Sequence, residues 1–152
     1  MNSVAEITPK IDQLEAALLQ HPAVDIEGKR TCRLREWLAP GVYCREVWRP
    51  AGTFIIGHAH KTSHLNAITT GRINVFMDGK VVQHKAGDVF MSEAGVRKMT
   101  YCPADCTEGA TLLTIHATTQ TDLSKMEDEL VTKSEAFKSL EIEAARKLLS
   151  IT

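Results

Sequence analysis

Three histidines that fall within seven residues are the clearest candidates for chemistry in this chain: His58, His60 and His64. Side chains two residues apart on a strand share a face, so we expect His58 and His60 to point the same way if TFIIGHAH is one strand. The polar residues 61–63 allow a turn before His64 begins the next strand. Neutral imidazoles bind transition metals, and three of them leave coordination positions open. The spacing therefore predicts a reactive metal site.

Other roles for the histidines and cysteines fit the same residues. Single histidines are usually exposed or hydrogen-bonded in a core, so spacing alone does not separate a metal site from packing. The four cysteines, Cys32, Cys44, Cys102 and Cys106, do not form paired CxxC elements. That pattern argues against a zinc finger or ribbon and favours free thiols in a reducing compartment.

The middle of the chain must position these side chains, and its pattern is that of short strands. From about residue 30 to residue 118, short β-like runs are broken by glycine, proline or Asp-Gly. Strands without intervening helices pair antiparallel, and this many in a row indicate a barrel or a sandwich. Asp78-Gly79 is the strongest hairpin signal, because this dipeptide adopts the two-residue turn that hairpins prefer.

Helical spacing of apolar residues marks both ends of the chain. It predicts an N-terminal helix over residues 8–20, with Thr8 as its N-cap and Pro9 as its first residue. It also predicts a helical extension over residues 121–150. We expect Thr121 to cap a first C-terminal helix and a second one to start near Ser134.

Length, composition and charge are those of one globular domain spanning residues 1–152. Apolar residues make up 43% and charged residues 24% of the 152 residues, which favours a packed core. The net charge of −1 gives no electrostatic reason to expect a nucleic-acid partner. The first residues lack a basic start followed by an apolar run, and no window approaches the ~20 apolar residues of a membrane span. We therefore expect a cytoplasmic protein.

Glycines frame the histidine cluster in a regular way, giving G-x5-H-x-H-x3-H-x6-G from Gly52 to Gly71. This pattern resembles the first signature of the cupin superfamily, G-x5-H-x-H-x3/4-E-x6-G, with His64 at the glutamate position. The resemblance implies a mainly β fold, the cupin double-stranded β-helix, a jelly-roll-like antiparallel barrel with an N-terminal helix and one or two C-terminal helices. It also implies that His58, His60 and His64 bind one divalent transition metal ion: Zn, Fe, Ni or Mn.

The second cupin signature, G-x5-P-x-G-x2-H-x3-N, is matched in part between Gly87 and Lys98. Lys98 stands where the last histidine ligand belongs. A protonated lysine cannot bind a cation, so Lys98 either leans away, contacts an anionic group, or has its pKa lowered by burial and the metal. Lys98 and Tyr101 are the candidate catalytic residues, for substrate orientation or proton transfer. His116, on the last predicted strand, is a further candidate ligand, although packing is the commoner role.

Several functions are compatible with a cupin barrel. The resemblance implies a metal-binding protein that binds or transforms a small molecule, with dioxygenase, isomerase and lyase chemistry all left open. The alternatives are a non-catalytic ligand-binding module and a structural or interaction protein that uses the barrel as a scaffold. We expect a homodimer, because cupins commonly dimerise and open strand edges favour pairing. Residues 114–130 resemble a stretch of small phage-encoded cupin-like proteins, which suggests a viral origin and location in a host cytoplasm.

Overall fold

The computed structural model describes residues 4–151, and the side chains of residues 6–150. Helices there are α1 (Val4–Leu18), α2 (Met126–Leu130) and α3 (Glu135–Ile151), with a 3-10 turn at Leu123–Lys125 before α2. The strands are β1 (Arg33–Ala39), β2 (Val42–Arg49), β3 (Phe54–Ile56), β4 (Ala59–His60), β5 (His64–Thr70), β6 (Arg72–Met77), β7 (Lys80–Lys85), β8 (Val89–Ser92), β9 (Met99–Tyr101), β10 (Ala110–Ala117) and β11 (Val131–Thr132). None of these helices is long and apolar enough to span a bilayer.

Two antiparallel sheets enclose the interior of the molecule. The larger has the strand order β1-β2-β10-β5-β8 and the smaller has the order β3-β9-β6-β7, while β4 pairs with β11. Strands distant in sequence are neighbours, since β10 lies between β2 and β5, so the chain passes repeatedly from one sheet to the other. The predicted mainly β, antiparallel architecture with helices at both ends is confirmed.

The predicted hairpin at Asp78-Gly79 is present. Met77 pairs with Lys80, which leaves a two-residue loop between β6 and β7. Asp78 and Gly79 have φ angles of 53° and 72°, both in the left-handed region. This is the conformation of a type I′ turn, whose twist matches that of the strands it joins.

The expectation that TFIIGHAH is one strand is wrong, because the strand is broken at Gly57 and His58. Strand β3 ends at Ile56 and β4 begins at Ala59. The Gly57 N–H donates to the Lys98 carbonyl at 2.9 Å, and the Gly57 carbonyl accepts from Arg97 Nε at 3.0 Å. The first bond continues the register of β3 with β9 by one residue, whereas the Gly57 carbonyl is bound by the Arg97 side chain and not by a strand backbone, so regular pairing ends here. Side-chain alternation does not continue through the break, so His58 and His60 need not share a face.

The N-terminal helix is present but starts earlier than predicted. Because α1 begins at Val4, Thr8 lies inside it and is not its N-cap, and Pro9 is an interior residue. Pro9 has no N–H to donate to the preceding turn, so one helical hydrogen bond is missing. Helical periodicity located this element correctly, whereas the Thr-Pro pair misplaced its start.

In the C-terminal extension the predicted cap is wrong, whereas the second helix starts near the predicted residue. Asp122, and not Thr121, caps the 3-10 turn, and its Oδ1 accepts from the Ser124 N–H at 3.0 Å. Ser134 Oγ accepts from the Phe137 N–H at 3.2 Å and caps α3 near the predicted start. Strand β11 between the two helices was not predicted. It pairs with β4, so the extension lies beside His60.

Apolar side chains fill the interior in two clusters. The larger contains Ile68, Ile73, Val75, Cys102, Cys106, Ala110 and Leu112. The smaller joins the extension to the barrel through Tyr43, Met126 and Leu130, all at most 5% exposed. Burying side chains of this size contributes about 1.5–3 kcal/mol each, which is enough to hold the extension against β2.

Candidate metal centre

Three histidines from three strands meet inside the barrel: His60, His64 and His116. Their candidate ligand nitrogens all lie within 4.8 Å of one another. Ring centroids are 4.2 Å apart for His60 and His64, 4.5 Å for His64 and His116, and 5.1 Å for His60 and His116. His60 ends β4 and His64 begins β5. The register that pairs Leu65 with Ile115 places His64 opposite His116 on β10.

Burial leaves nitrogens of this cluster without hydrogen-bond partners. His64 and His116 are 4% and 2% exposed, and His60 is half-buried. The Nδ1 atoms of His60 and His116 are buried and have no hydrogen-bond partner among the described residues. A buried polar atom without a partner is unfavourable, and a bound metal ion would satisfy a nitrogen lone pair. The donor set therefore fits a transition metal ion, for which imidazole is a common ligand.

The electrostatic environment keeps all three imidazoles neutral. Burial lowers the pKa of His60 to about 2, of His64 to about 3 and of His116 to about 4, and the positive charge of Lys98 acts in the same direction on all three. Metal binding requires neutral imidazole. Lone pairs on these residues are therefore available well below neutral pH.

Lys98 enters this site instead of leaning away from it. Its side chain is 7% exposed, and its Nζ lies 2.8 Å from His64 Nε2. The same Nζ donates to Asn66 Oδ1 at 2.7 Å and to Ser92 Oγ at 3.0 Å. Burial, together with the nearby charge of Arg49, lowers the pKa of Lys98 to about 7. Lys98 thus occupies the space beside the histidines that a fourth ligand would use.

His58 lies apart from the three clustered histidines. Its ring packs edge-on against Phe137 of α3, with centroids 4.6 Å apart and planes at 83°. Burial lowers the pKa of His58, and its Nδ1 is buried without a hydrogen-bond partner among the described residues. The break before β4 turns His58 towards α3, so His60 and His64 of the predicted set meet His116 instead.

Tyr101 also lies apart from the cluster. It is half-buried on β9, where it pairs with Phe54 and Asn74. Thr100 is buried and shares its face with Lys98, because the two are separated by one residue. Tyr101 therefore lies on the opposite face of β9 from Thr100, away from the three histidines.

Sequence spacing alone could not single out His116 as the third histidine. It is separated from His64 by most of the barrel sequence, and only the pairing of β5 with β10 brings the two together. The sequence showed only that His116 lies on a predicted strand, and it did not show which strands pair with that one. Asn66 and Ser92, which hold Lys98, carried no signal of their own.

Comparisons with known proteins bear on the fold. No protein-family model and no curated protein sequence matches the chain. Solved structures do resemble it. KdgF from a Halomonas species is 13% identical, with a TM-score of 0.51 over 69% of this chain and 93% of that one.

Two further structures extend the likeness. A mutant of salicylate 1,2-dioxygenase from Pseudoaminobacter salicylatoxidans is 18% identical, with a TM-score of 0.56 over 86% of this chain and 37% of that one. An RmlC-like cupin family protein with a double-stranded β-helix fold, from Methanocaldococcus jannaschii, is 12% identical, with a TM-score of 0.51 over 59% of this chain and 82% of that one. The glycine and histidine spacing and these structural likenesses agree that the chain has the double-stranded β-helix fold of the cupins.

Proposed function

We propose that this protein is a metal-binding cupin that holds one divalent transition metal ion through His60, His64 and His116 and binds a small molecule beside it. The observation that carries the proposal is the convergence of three neutral imidazoles, with ligand nitrogens within 4.8 Å of one another, inside the barrel. In this proposal His116 is the third ligand, in place of His58, which the resemblance to the first cupin signature implied. Zn, Fe, Ni and Mn remain the candidate ions.

The residues around the histidines support a role in handling a small molecule. A bound ion would act as a Lewis acid towards a ligand oxygen or water. Asn66 and Ser92 hold Lys98 Nζ close to His64. The amine would therefore face a small molecule bound beside the histidines. With a pKa of about 7, its amine can accept or donate a proton near neutral pH. Lys98 is therefore our candidate for proton transfer, whereas nothing near the cluster supports Tyr101 in that role.

Turnover and simple binding are both compatible with this arrangement. Structures of similar fold include proteins named salicylate 1,2-dioxygenase and DMSP lyase, which supports an enzyme acting on a small organic molecule. A non-catalytic binding module is the second candidate. It is favoured by the contact of Lys98 with His64 Nε2, since that contact occupies a nitrogen that a reactive metal would use.

Metal analysis of single histidine variants tests the ligand set. Protein purified without a histidine tag is loaded with Zn²⁺, Fe²⁺, Ni²⁺ or Mn²⁺, desalted and measured by elemental analysis. We expect stoichiometric metal in the wild type, in His58→Ala and in the control His84→Ala, and strongly reduced metal in His60→Ala, His64→Ala and His116→Ala. Metal that is lost with His58→Ala but retained with His116→Ala would contradict our set and favour the one that the first cupin signature implies.

The outer face of the larger sheet supports a homodimer. One register row crosses all five strands and contains only apolar or thiol side chains: Trp37, Cys44, Ile115, Leu65 and Met91. Trp37, Leu65 and Met91 are 48%, 45% and 52% exposed. We propose that a second copy of the chain covers this row. In a two-fold dimer the same surface of each copy meets, and a row without charges can face itself without repulsion. The contact would also remove exposed apolar area from water.

A further inference from the structure

Two basic side chains lie inside the barrel without an acidic partner among the described residues: Arg49 and Lys98. They are 2% and 7% exposed. None of the ion pairs among the described residues involves either one. Burying an unpaired charge is strongly unfavourable, and buried charges are normally paired. The third buried cation, Arg97, follows that rule, since Asp12 and Glu15 neutralise it.

Arg49 has hydrogen-bonding capacity left over. Its Nη1 donates to Thr100 Oγ1, while its Nε is buried and has no partner among the described residues. Cys32 and Cys102 are the groups nearby that could carry negative charge, but burial raises the pKa of both thiols. They remain neutral at physiological pH. Burial lowers the pKa of Arg49 to about 10, which still leaves the guanidinium charged.

The two basic side chains lie near one region of the interior. Lys98 directly precedes β9 and is one residue removed from Thr100, so the Thr100 hydroxyl that binds Arg49 is adjacent to the Lys98 side chain. The charge of Arg49 in turn acts on Lys98. The side chains that bind Lys98 are His64, Asn66 and Ser92, none of which is acidic. Lys98 therefore contacts the histidine cluster directly and is also within reach of the charge of Arg49.

We propose that Arg49 and Lys98 bind the carboxylate of a small organic acid and that this defines the ligand class of the barrel. The inference rests on the proposed function for the neighbouring metal, and it names the charge of the molecule bound there. A guanidinium fork is matched in shape and charge by a carboxylate, and the free Nε–H of Arg49 supplies a donor. A divalent ion on three neutral imidazoles adds positive charge to the same interior, which further favours an anion.

Acetate is the probe for this site, and thermal stability is the readout. Melting temperatures of metal-free and zinc-loaded protein are measured as sodium acetate replaces sodium chloride at constant ionic strength, with sodium phosphate as a parallel series. A ligand that binds only the folded state raises the melting temperature in a saturable way. We expect a rise of several degrees with acetate in the wild type, no rise in Arg49→Met, and a smaller rise in Arg49→Lys and Lys98→Met.

Arg146→Met, on the exposed surface of α3, is the matched control and should respond like the wild type. Arg49→Met should fold, since replacing a buried charge by an apolar side chain of similar size is often neutral or stabilising. An unchanged acetate response in Arg49→Met, or a response to phosphate alone, overturns the proposal.

Metal content, measured on the same samples, separates the two proposals. Stoichiometric zinc without any acetate response overturns the carboxylate site alone. An acetate response that depends on Arg49, in a protein that takes up no metal, supports the carboxylate site while the metal proposal fails.

Discussion

Lys98 is the single residue that most strongly affects how the three histidines can bind a metal. Its Nζ is 2.8 Å from His64 Nε2 and therefore competes with an ion for that nitrogen. At the same time it stands at the position where the second cupin signature has a histidine. A lysine here replaces a possible ligand by a cation, which raises the electrostatic cost of metal binding.

Replacing Lys98 should therefore strengthen metal binding. We expect Lys98→His to raise zinc affinity by about tenfold or more, because it removes the amine that occupies His64 Nε2 and adds an imidazole. Lys98→Met removes only the competing amine and should give a smaller increase. Competition titrations against a chromophoric chelator at pH 7.5 measure both, with the exposed Lys80→Met as control. Weaker binding in Lys98→Met would mean that the amine supports the metal site.

The lowered histidine pKa values predict how the metal-free protein responds to acid. The pKa of His116 is about 4 in the folded state, against about 6.5 in an unfolded chain. Between these values the unfolded chain binds a proton that the folded protein does not, so the free energy of unfolding falls as the pH drops below 6.5 and is fully recovered above it. For His116 the loss from pH 7 to pH 4.5 is about 2 kcal/mol.

Urea denaturation at a series of pH values measures this contribution. His116→Gln cannot take up the proton and should show a shallower loss of stability on acidification than the wild type. The exposed His21→Gln should keep the wild-type pH dependence. Equal slopes for the wild type and His116→Gln would show that His116 is not buried in its neutral form.

Among the secondary-structure elements, three parts of the chain are joined at one buried point by Arg97. Its Nη2 lies 2.6 Å from Glu15 Oε2 of α1, and its Nε donates to the Gly57 carbonyl at 3.0 Å. Glu15 also accepts from Ser134, the N-cap of α3. The two terminal helices are thereby tied to the break between β3 and β4, just ahead of the histidines.

Removing the charge of Glu15 should loosen this junction. Glu15 and Arg97 are each only 5% exposed, so Glu15→Gln leaves a buried guanidinium with only its contact to Asp12 to neutralise it. We expect the free energy of unfolding to fall by about 3 kcal/mol, as for other broken buried pairs. Lys147→Met, which breaks an exposed pair with Glu143, should change it by less than about 1 kcal/mol. Similar effects of the two substitutions in urea denaturation would contradict this assignment.

For the molecule as a whole, the exposed apolar row on the larger sheet predicts self-association. Leu65 lies within that row and pairs with both Ile115 and Met91. Leu65→Lys places a charge against its own copy across a two-fold axis, so we expect a dimeric wild type and a monomeric variant. Light scattering coupled to size-exclusion chromatography measures the mass of each.

Val81→Lys is the control for this substitution, because Val81 is 67% exposed but belongs to the other sheet. It should remain a dimer. A monomeric wild type at micromolar concentration, or dissociation by Val81→Lys as well, would place the row outside any dimer interface.

Features that depend on neighbouring residues could be predicted from the amino-acid sequence. The Asp78-Gly79 turn, the Ser134 cap and the start of β5 at His64 follow from local conformational preferences and short hydrogen bonds. The glycine and histidine spacing also pointed to the barrel, through its resemblance to the first cupin signature. The interactions that produce these features lie within a few residues of one another, so the local pattern contains them.

Which side chains share the interior was settled by contacts between distant parts of the chain. His116 meets His64 through the register of β5 and β10, while His58, beyond the end of β3 at Ile56, packs against Phe137 of α3. Lys98 itself faces inward beside the histidines, and Arg49 is buried against Thr100 of the other sheet. These positions depend on the pairing of segments far apart in the chain, which no local pattern encodes.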